Sequence, residues 1–246
     1  MLAGIRNLFR KADPFPFTQI GVDMHSHVLP GLDDGTDTLE MALEMVADLR
    51  QKGYRKLIMT PHIMGDFFKN TPAGIHEKLE LLRAAVKKNN WDIQLECAAE
   101  YYLDEWFLQK IAAPQPLLTF GNQYLLFETS YINEPLNFKE AVFNLRSAGY
   151  KPVLAHPERY TYLYGRFEEL EKIHETGVLF QINLNSLAGY YSETAKQVAQ
   201  KLVDKKLVHF VGTDAHHTRH LKFLTKTAGM PYFKKVLALP LLNYNL

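Results

Sequence analysis

The stretch Gly21-Val22-Asp23-Met24-His25-Ser26-His27 joins two patterns. Residues 21–24 form an apolar run of buried-strand length, and the run passes straight into two histidines at alternate positions. Alternate residues of a strand point the same way, so His25 and His27 can face one ion together. Further runs of strand length lie at 56–59, 93–98, 123–127, 152–155, 178–182 and 207–212. Their ends repeat the theme: Thr60-Pro61-His62, Ala99-Glu100, Phe127-Glu128, Ala155-His156-Pro157-Glu158-Arg159 and Thr213-Asp214-Ala215-His216. Only the run 178–182 does not end in His, Glu or Asp.

The intervening segments have helical spacing. Residues 37–52 carry Leu39, Ala42, Leu43, Val46 and Leu49, with a capping pattern in Asp37 and Glu40 and a stop at Gly53. Thr71-Pro72 opens a second helix with Ile75, Leu79, Leu82 and Val86 on one face. Residues 104–111 predict a short helix ended before Pro114. Helices are also predicted from Asn137 to Gly149, from Phe167 to Gly177 and from Ser192 through Leu202. Strand–helix alternation with runs this apolar predicts an α/β fold, a parallel sheet covered by helices. Seven strand candidates in one array favour a barrel over the alternative, an open doubly wound sheet. In a parallel barrel the C-terminal strand ends share one face, so residues from His25 to His216 converge on one cavity.

Composition narrows the chemistry. The chain has 246 residues, 47% of them hydrophobic and 22% charged, which suits a globular domain and excludes disorder as the main state. Lys and Arg total 28 against 27 Asp and Glu, so there is no basic excess for nucleic acid, and an anionic substrate must be held by local charge. The single cysteine, Cys97, allows no intrachain disulfide, which fits a cytoplasmic location. Residues 1–20 read as an N-terminal extension and 21–246 as one domain. Within the extension, Met1, Ile5, Leu8 and Phe9 can line one face of a short helix beside Arg6, Arg10 and Lys11, before Asp13-Pro14-Phe15-Pro16 breaks it. The plain reading is an arm that packs on the domain; the start is not a signal peptide, and no run is long enough to span a bilayer.

Neutral imidazole and carboxylate are ligands for manganese, iron and zinc. The strand-end set holds too many ligands for one ion, which points to two or three divalent metals. Closely spaced ions generate a hydroxide nucleophile and neutralise a phosphoryl group in flight. His76, His174, His209 and His220 read instead as core or surface residues.

These motifs, with Pro30-Gly31-Leu32-Asp33-Asp34-Gly35 and Glu100-Tyr101-Tyr102, resemble in order the PHP domain. They are most similar to the bacterial PHP-type protein-tyrosine phosphatases of capsule and exopolysaccharide synthesis, the CpsB/YwqE-like group. The resemblance covers residues 21 to 220. It implies a distorted (β/α)7 barrel of PHP type, TIM-barrel-like, with a trinuclear metal site. It assigns His25, His27, Glu100 and Asp214 to a first ion, Glu100, Glu128 and His156 to a second, and Asp34, His62 and His216 to a third. Arg159 resembles the family's phosphate-binding arginine, whose fork suits phosphate oxygens, and Arg219 is the candidate for a second.

The implied reaction is attack by a metal-activated hydroxide on a phosphotyrosine, with manganese the foremost metal and iron or zinc the alternatives. Arg159 would stabilise the charge on the equatorial oxygens, and Asp34 or His216 could pass a proton. The implied partner is a phosphotyrosine protein, foremost a bacterial tyrosine kinase of exopolysaccharide or capsule synthesis; an oligomer is left open. Cys97 does not sit in the Cys-x5-Arg loop of cysteine-dependent tyrosine phosphatases. Tyr101, Tyr102, Tyr131, Tyr160, Tyr162 and Tyr164 lie near the motifs, most of them expected to pack beneath the loops. Two rivals remain at this stage: a small-molecule PHP phosphatase such as histidinol-phosphate phosphatase, and a non-catalytic metal-stabilised module.

Overall fold

The structure is a computed structural model that describes residues 16–113 and 115–246. The proposed helix in the N-terminal arm, most of the break after it, and Pro114 lie outside the described residues. In chain order the elements are β1 (Val22–Asp23), α1 (Leu39–Gln51), β2 (Lys56–Met59), β3 (His62–Ile63), α2 (Pro72–Lys88), β4 (Gln94–Cys97), β5 (Glu100–Tyr102) and α3 (Glu105–Ile111). There follow β6 (Tyr124–Glu128), α4 (Phe138–Ser147), β7 (Lys151–Ala155), α5 (Phe167–Glu175), β8 (Leu179–Asn183), α6 (Glu193–Asp204), β9 (Phe210–Gly212), α7 (Thr218–Ala228) and α8 (Pro231–Leu237).

This is an α/β fold of parallel strands. The strands form two sheets rather than the one array expected, ordered β1-β2-β4 and β3-β5-β6-β7-β8-β9. Pro61 explains one break: it has no N–H, so the ladder cannot run from β2 into β3. There Thr60 N turns to Ser26 O at 2.8 Å, and Pro61 O accepts from Glu100 N at 3.1 Å. Backbone bonds also tie the first and last strands beyond their ends, Asp214 N to His25 O at 2.8 Å and His27 N to Ala215 O at 3.0 Å. Asn243 spans the same two strands, its amide nitrogen donating to Val22 O at 3.1 Å and Val211 O at 2.8 Å.

The core follows the two-residue period of the strands. Val22, Met24, Ile58, Leu126, Val153, Ala155 and Phe210 form one buried cluster, drawn from both sheets. Their neighbours Leu57, Leu125, Phe127, Leu154 and Val211 belong to the larger cluster that packs against the helices. Phe17, from the segment read as an extension, is fully buried there; it stacks on Tyr54 at 5.3 Å and meets the edge of Phe233 at 5.2 Å.

Local chemistry sets the helix starts. Ser192 and Thr71 cap α6 and α2 by accepting from Ala195 N and Gly74 N. The cap of α1 is Thr38, which accepts from Met41 N, not the expected Asp37. Helices α7 and α8 were not foreseen, although Leu221 and Leu224 carry helical spacing on a buried face.

Candidate metal centre

The strand ends bring the predicted ligands together. The Nε2 atom of His25 lies 3.1 Å from Glu100 Oε2 and 3.5 Å from Asp214 Oδ1. That of His27 lies 3.3 Å and 3.5 Å from the same two oxygens. His62 Nε2 is 3.4 Å from both Glu100 Oε2 and Glu128 Oε1. His156 Nε2 is 3.1 Å from Glu100 Oε1. Asp34 Oδ1 is 3.4 Å from His62 Nδ1 and from His216 Nε2. Glu100 thus sits at the middle, its two oxygens facing histidines from three different strand ends.

Three sets have ligand atoms close enough to share an ion: His25, His27 and Glu100; His62, Glu100 and Glu128; and His27, Asp34, His62 and His216. The grouping implied by the resemblance differs in detail. His62 rather than His156 completes the tight set with Glu128, and His27 joins the set around Asp34. His156 and Asp214 stand at the edges of these sets, within the distances given above. Asp34 is the exposed member, its side chain 59% accessible, against 1% for Glu100.

Backbone strain marks two of these positions. His156 (φ 33°) and Asp214 (φ 49°) both occupy the left-handed region although neither is glycine. Such residues persist where surroundings over-determine them, and they cluster at functional sites. Each lies where a buried strand must turn while still aiming its side chain across the cavity.

A layer of polar groups holds the ring from behind, and here the sequence reading missed residues. The Gln181 amide nitrogen donates to Asn183 Oδ1 at 2.9 Å, so its oxygen accepts from His25 Nδ1 at 2.8 Å. Asn183 in turn donates to Asp214 Oδ2 at 2.6 Å, and Tyr191 OH lies 3.3 Å from the same oxygen. Asp33 accepts from His27 Nδ1 at 2.7 Å. Asn183 ends the one strand run that lacked a His, Glu or Asp, a position that a search for ligand types passes over.

Electrostatics follow from this crowding. Burial alone would depress the histidines, but the carboxylates outweigh it. His25 and His27 are raised, and His62, also opposed by the charge of His27, is lifted to about 10 by Asp33, Glu128 and Glu100. Reciprocally, burial would raise Glu100 and Asp214, yet the neighbouring histidines hold both well below the usual carboxylate range.

Arg159 enters from the short 3-10 turn Pro157–Arg159 after β7. Its Nη1 donates to Asp214 Oδ2 at 2.9 Å, and its guanidinium lies between Tyr131 (4.5 Å) and Tyr191 (4.2 Å). Its sequence neighbour Glu158 is fully buried, accepting from Asn183 N and Ser186 Oγ. Arg219 is not brought in: it is exposed on α7, 6.0 Å from the Tyr190 ring, with no ion pair to the cluster among the described residues. Cys97 lies beside His76 at 3.6 Å, its thiol pushed up to about 11 by burial. His209 and His220 accept from Phe180 N and His216 N, as supporting residues do.

The chain matches the family described as capsular polysaccharide synthesis, CpsB/CapC, over residues 21–236. It is 31% identical over 207 residues to the tyrosine-protein phosphatase YwqE of Bacillus subtilis (strain 168), covering 84% of this chain and 82% of that protein. It also resembles a solved chain from work on YwqE of Bacillus subtilis and CpsB of Streptococcus pneumoniae, described as unique metal-dependent tyrosine phosphatases. That match has a TM-score of 0.79 and 30% identity, over 87% of this chain and 86% of that one. A histidinol phosphate phosphatase from Lactococcus lactis shares the fold at a TM-score of 0.53 and 14% identity, over 85% of this chain and 94% of that one. Among the described residues, no helix is long and apolar enough to cross a membrane.

Proposed function

Because the chain belongs to the CpsB/CapC family of capsular polysaccharide synthesis, we propose that it is a metal-dependent tyrosine-protein phosphatase. Its partner in this reading is a phosphotyrosine protein, foremost a bacterial tyrosine kinase of exopolysaccharide or capsule synthesis, in the cytoplasm. The observation that carries the reading is the convergence of His25, His27 and Glu100, and of His62, Glu100 and Glu128, in two sets of ligand distance that meet at Glu100.

The donor set fits divalent cations. Asp33, Glu100, Glu128 and Asp214 are buried together, and Glu128 Oε2 has no hydrogen-bond partner. Buried anions are costly unless matched by positive charge; Arg159 and the protons held on the raised His25, His27 and His62 supply it in the metal-free protein, and divalent cations would take the place of those protons. In this reading His25, His27, Glu100 and Asp214 would hold one ion, Glu100, Glu128 and His156 a second, and Asp34, His62 and His216 a third, with manganese ahead of iron or zinc. When bound, such ions supply hydroxide at neutral pH and neutralise phosphoryl charge.

The chain's own residues do the rest. Arg159 packs against the rings of Tyr131 and Tyr191 and would offer its fork to the equatorial phosphate oxygens. His216 and Asp34 lie 3.4 Å apart at the open side; as both are read as ligands, a proton that either relays toward the leaving oxygen would travel through water there. A phenolate with a pKa of about 10 demands little of that acid. Arg219 has no part in this reading. The two sheets are read as one distorted seven-stranded barrel of PHP type. β2 with β3, and β4 with β5, each count as one interrupted strand, and the Ser26–Ala215 bridge and Asn243 support closure.

Elemental analysis joined to parallel assays with phosphotyrosine peptide and histidinol phosphate tests the proposal. Metal-dependent turnover of the peptide is expected. Preference for histidinol phosphate would move the assignment to a small-molecule PHP phosphatase. Bound metal without turnover of either would leave a non-catalytic metal-stabilised module.

A further inference from the structure

Asp33 and Asp34 are adjacent in sequence and opposite in placement. The Asp34 side chain is 59% exposed at the mouth of the cluster, whereas that of Asp33 is wholly buried behind it. One oxygen of Asp33, Oδ2, lies 2.7 Å from His27 Nδ1, accepts from His62 N at 2.9 Å, and is 3.3 Å from His62 Nδ1. The other, Oδ1, accepts from Gly35 N at 3.0 Å. The loop can fold this tightly because residue 35 is glycine: a Cβ there would come within 2.0 Å of His27 O.

An imidazole nitrogen that donates its hydrogen cannot also ligate a metal, so the acceptor behind a histidine decides which nitrogen faces the ion. His27 gives its Nδ1 hydrogen to Asp33, and its Nε2 then stands 3.3 Å from both Glu100 Oε2 and His25 Nε2. Gln181 does the same for His25 with a neutral amide, but it touches the imidazole of that histidine alone. Asp33 differs in its charge and in lying near the imidazoles of two histidines, His27 and His62, which share one candidate metal set and each enter a second.

We propose that Asp33 is a positioning residue shared by separate parts of the metal centre, a single buried carboxylate that orients the His27 ring and anchors His62. This rests on reading these histidines as metal ligands. A shared anchor couples the sets: loosening Asp33 weakens every ion that His27 or His62 would hold, not one of them.

The test uses the full chain as wild type, Asp33→Asn, Asp33→Ala and Thr36→Val. Thr36 is buried in the same loop and bonds Val28 O and His27 O, without touching an imidazole. Affinity for manganese and for zinc is read by chelator competition and metals per chain by elemental analysis. The melting temperature of each metal-free protein is recorded separately. Asp33→Ala is expected to bind metal about 10- to 100-fold more weakly, the usual scale for losing such a partner. Asp33→Asn, which keeps an acceptor oxygen without the charge, should fall between it and wild type, and Thr36→Val should match wild type. Wild-type affinity in Asp33→Asn overturns the proposal, and that variant decides if Asp33→Ala does not fold. An equal loss in Thr36→Val also overturns it, since the effect would then belong to the loop. A wild-type protein that takes up no divalent ion would overturn the metal-dependent function itself, which is a different result.

Discussion

Nη1 of Arg159 lies 2.9 Å from Oδ2 of Asp214, while the other oxygen of that carboxylate is 3.5 Å from Nε2 of both His25 and His27. One carboxylate therefore faces the arginine on one side and the histidine ring on the other. Removing the arginine tests whether it serves only the phosphate or also the metals. Arg159→Lys keeps the charge and loses the fork. It should retain metal and lower kcat/KM on phosphotyrosine peptide by about 10-fold or more, equivalent to roughly 1.4 kcal/mol. Arg159→Ala should lose more, and inhibition by inorganic phosphate should weaken in parallel. Wild-type turnover and phosphate inhibition in Arg159→Ala would remove the residue from the mechanism.

The position of Glu100 gives a second expectation. Both its oxygens face histidines, and it enters two of the three candidate metal sets. Glu100→Ala should therefore empty or disorder more metal than His216→Ala, because His216 enters only the set that contains the exposed Asp34. Metals per chain, counted on folded variants after identical dialysis, decide it. Full retention in Glu100→Ala would exclude a shared carboxylate at the centre.

The ring of ligands was legible because strand ends advertise themselves: an apolar run stops and a His, Glu or Asp follows. What stands behind the ring was not. Gln181, Asn183 and Tyr191 are ordinary polar residues whose meaning comes from bonds to His25, Asp214 and Arg159, across separations that no local pattern spans. Residue type does not separate Asp33 from Asp34; the resemblance singled out Asp34 as a ligand, but nothing in the sequence marked Asp33, which turns inward behind His27. The division into two sheets had a local sign in Pro61, which the count of apolar runs overlooked. Arg219 shows the converse: its nearness to His216 in sequence suggested the site, and it stands exposed on α7, 6.0 Å from the Tyr190 ring and without an ion pair to the cluster among the described residues.

Cys97 supplies a control for the nucleophile. Its thiol is half-buried, raised to about 11 and flanked by His76 rather than by an arginine loop. Since the thiolate is the reactive form, Cys97→Ser should leave phosphatase activity nearly unchanged. EDTA should abolish activity in both proteins, and added manganese should restore it. A loss of about 100-fold or more in Cys97→Ser would identify a thiol mechanism.

The last expectation concerns pH and the metal-free protein. His62 is raised to about 10 in the fold, against about 6.5 for a free imidazole. Its protonated form therefore contributes stability that is complete below about 6.5 and lost as pH rises toward 10. Glu100 and Asp214 are lowered, so their contribution is complete above about 4 and fades in stronger acid. The metal-free protein should be most stable between those limits and weaken on the alkaline side. A divalent ion must displace the histidine protons, so its uptake releases protons and its affinity climbs as pH rises. The gap in melting temperature between metal-loaded and metal-free protein should therefore widen from about pH 6.5 to pH 9, because the protons that stabilise the metal-free fold are the ones the ion must displace. Calorimetric scans of both forms across that range, with proton release followed in weak buffer, measure it. A gap that narrows with rising pH, or metal uptake without proton release, would show that these histidines are not the groups the metal engages.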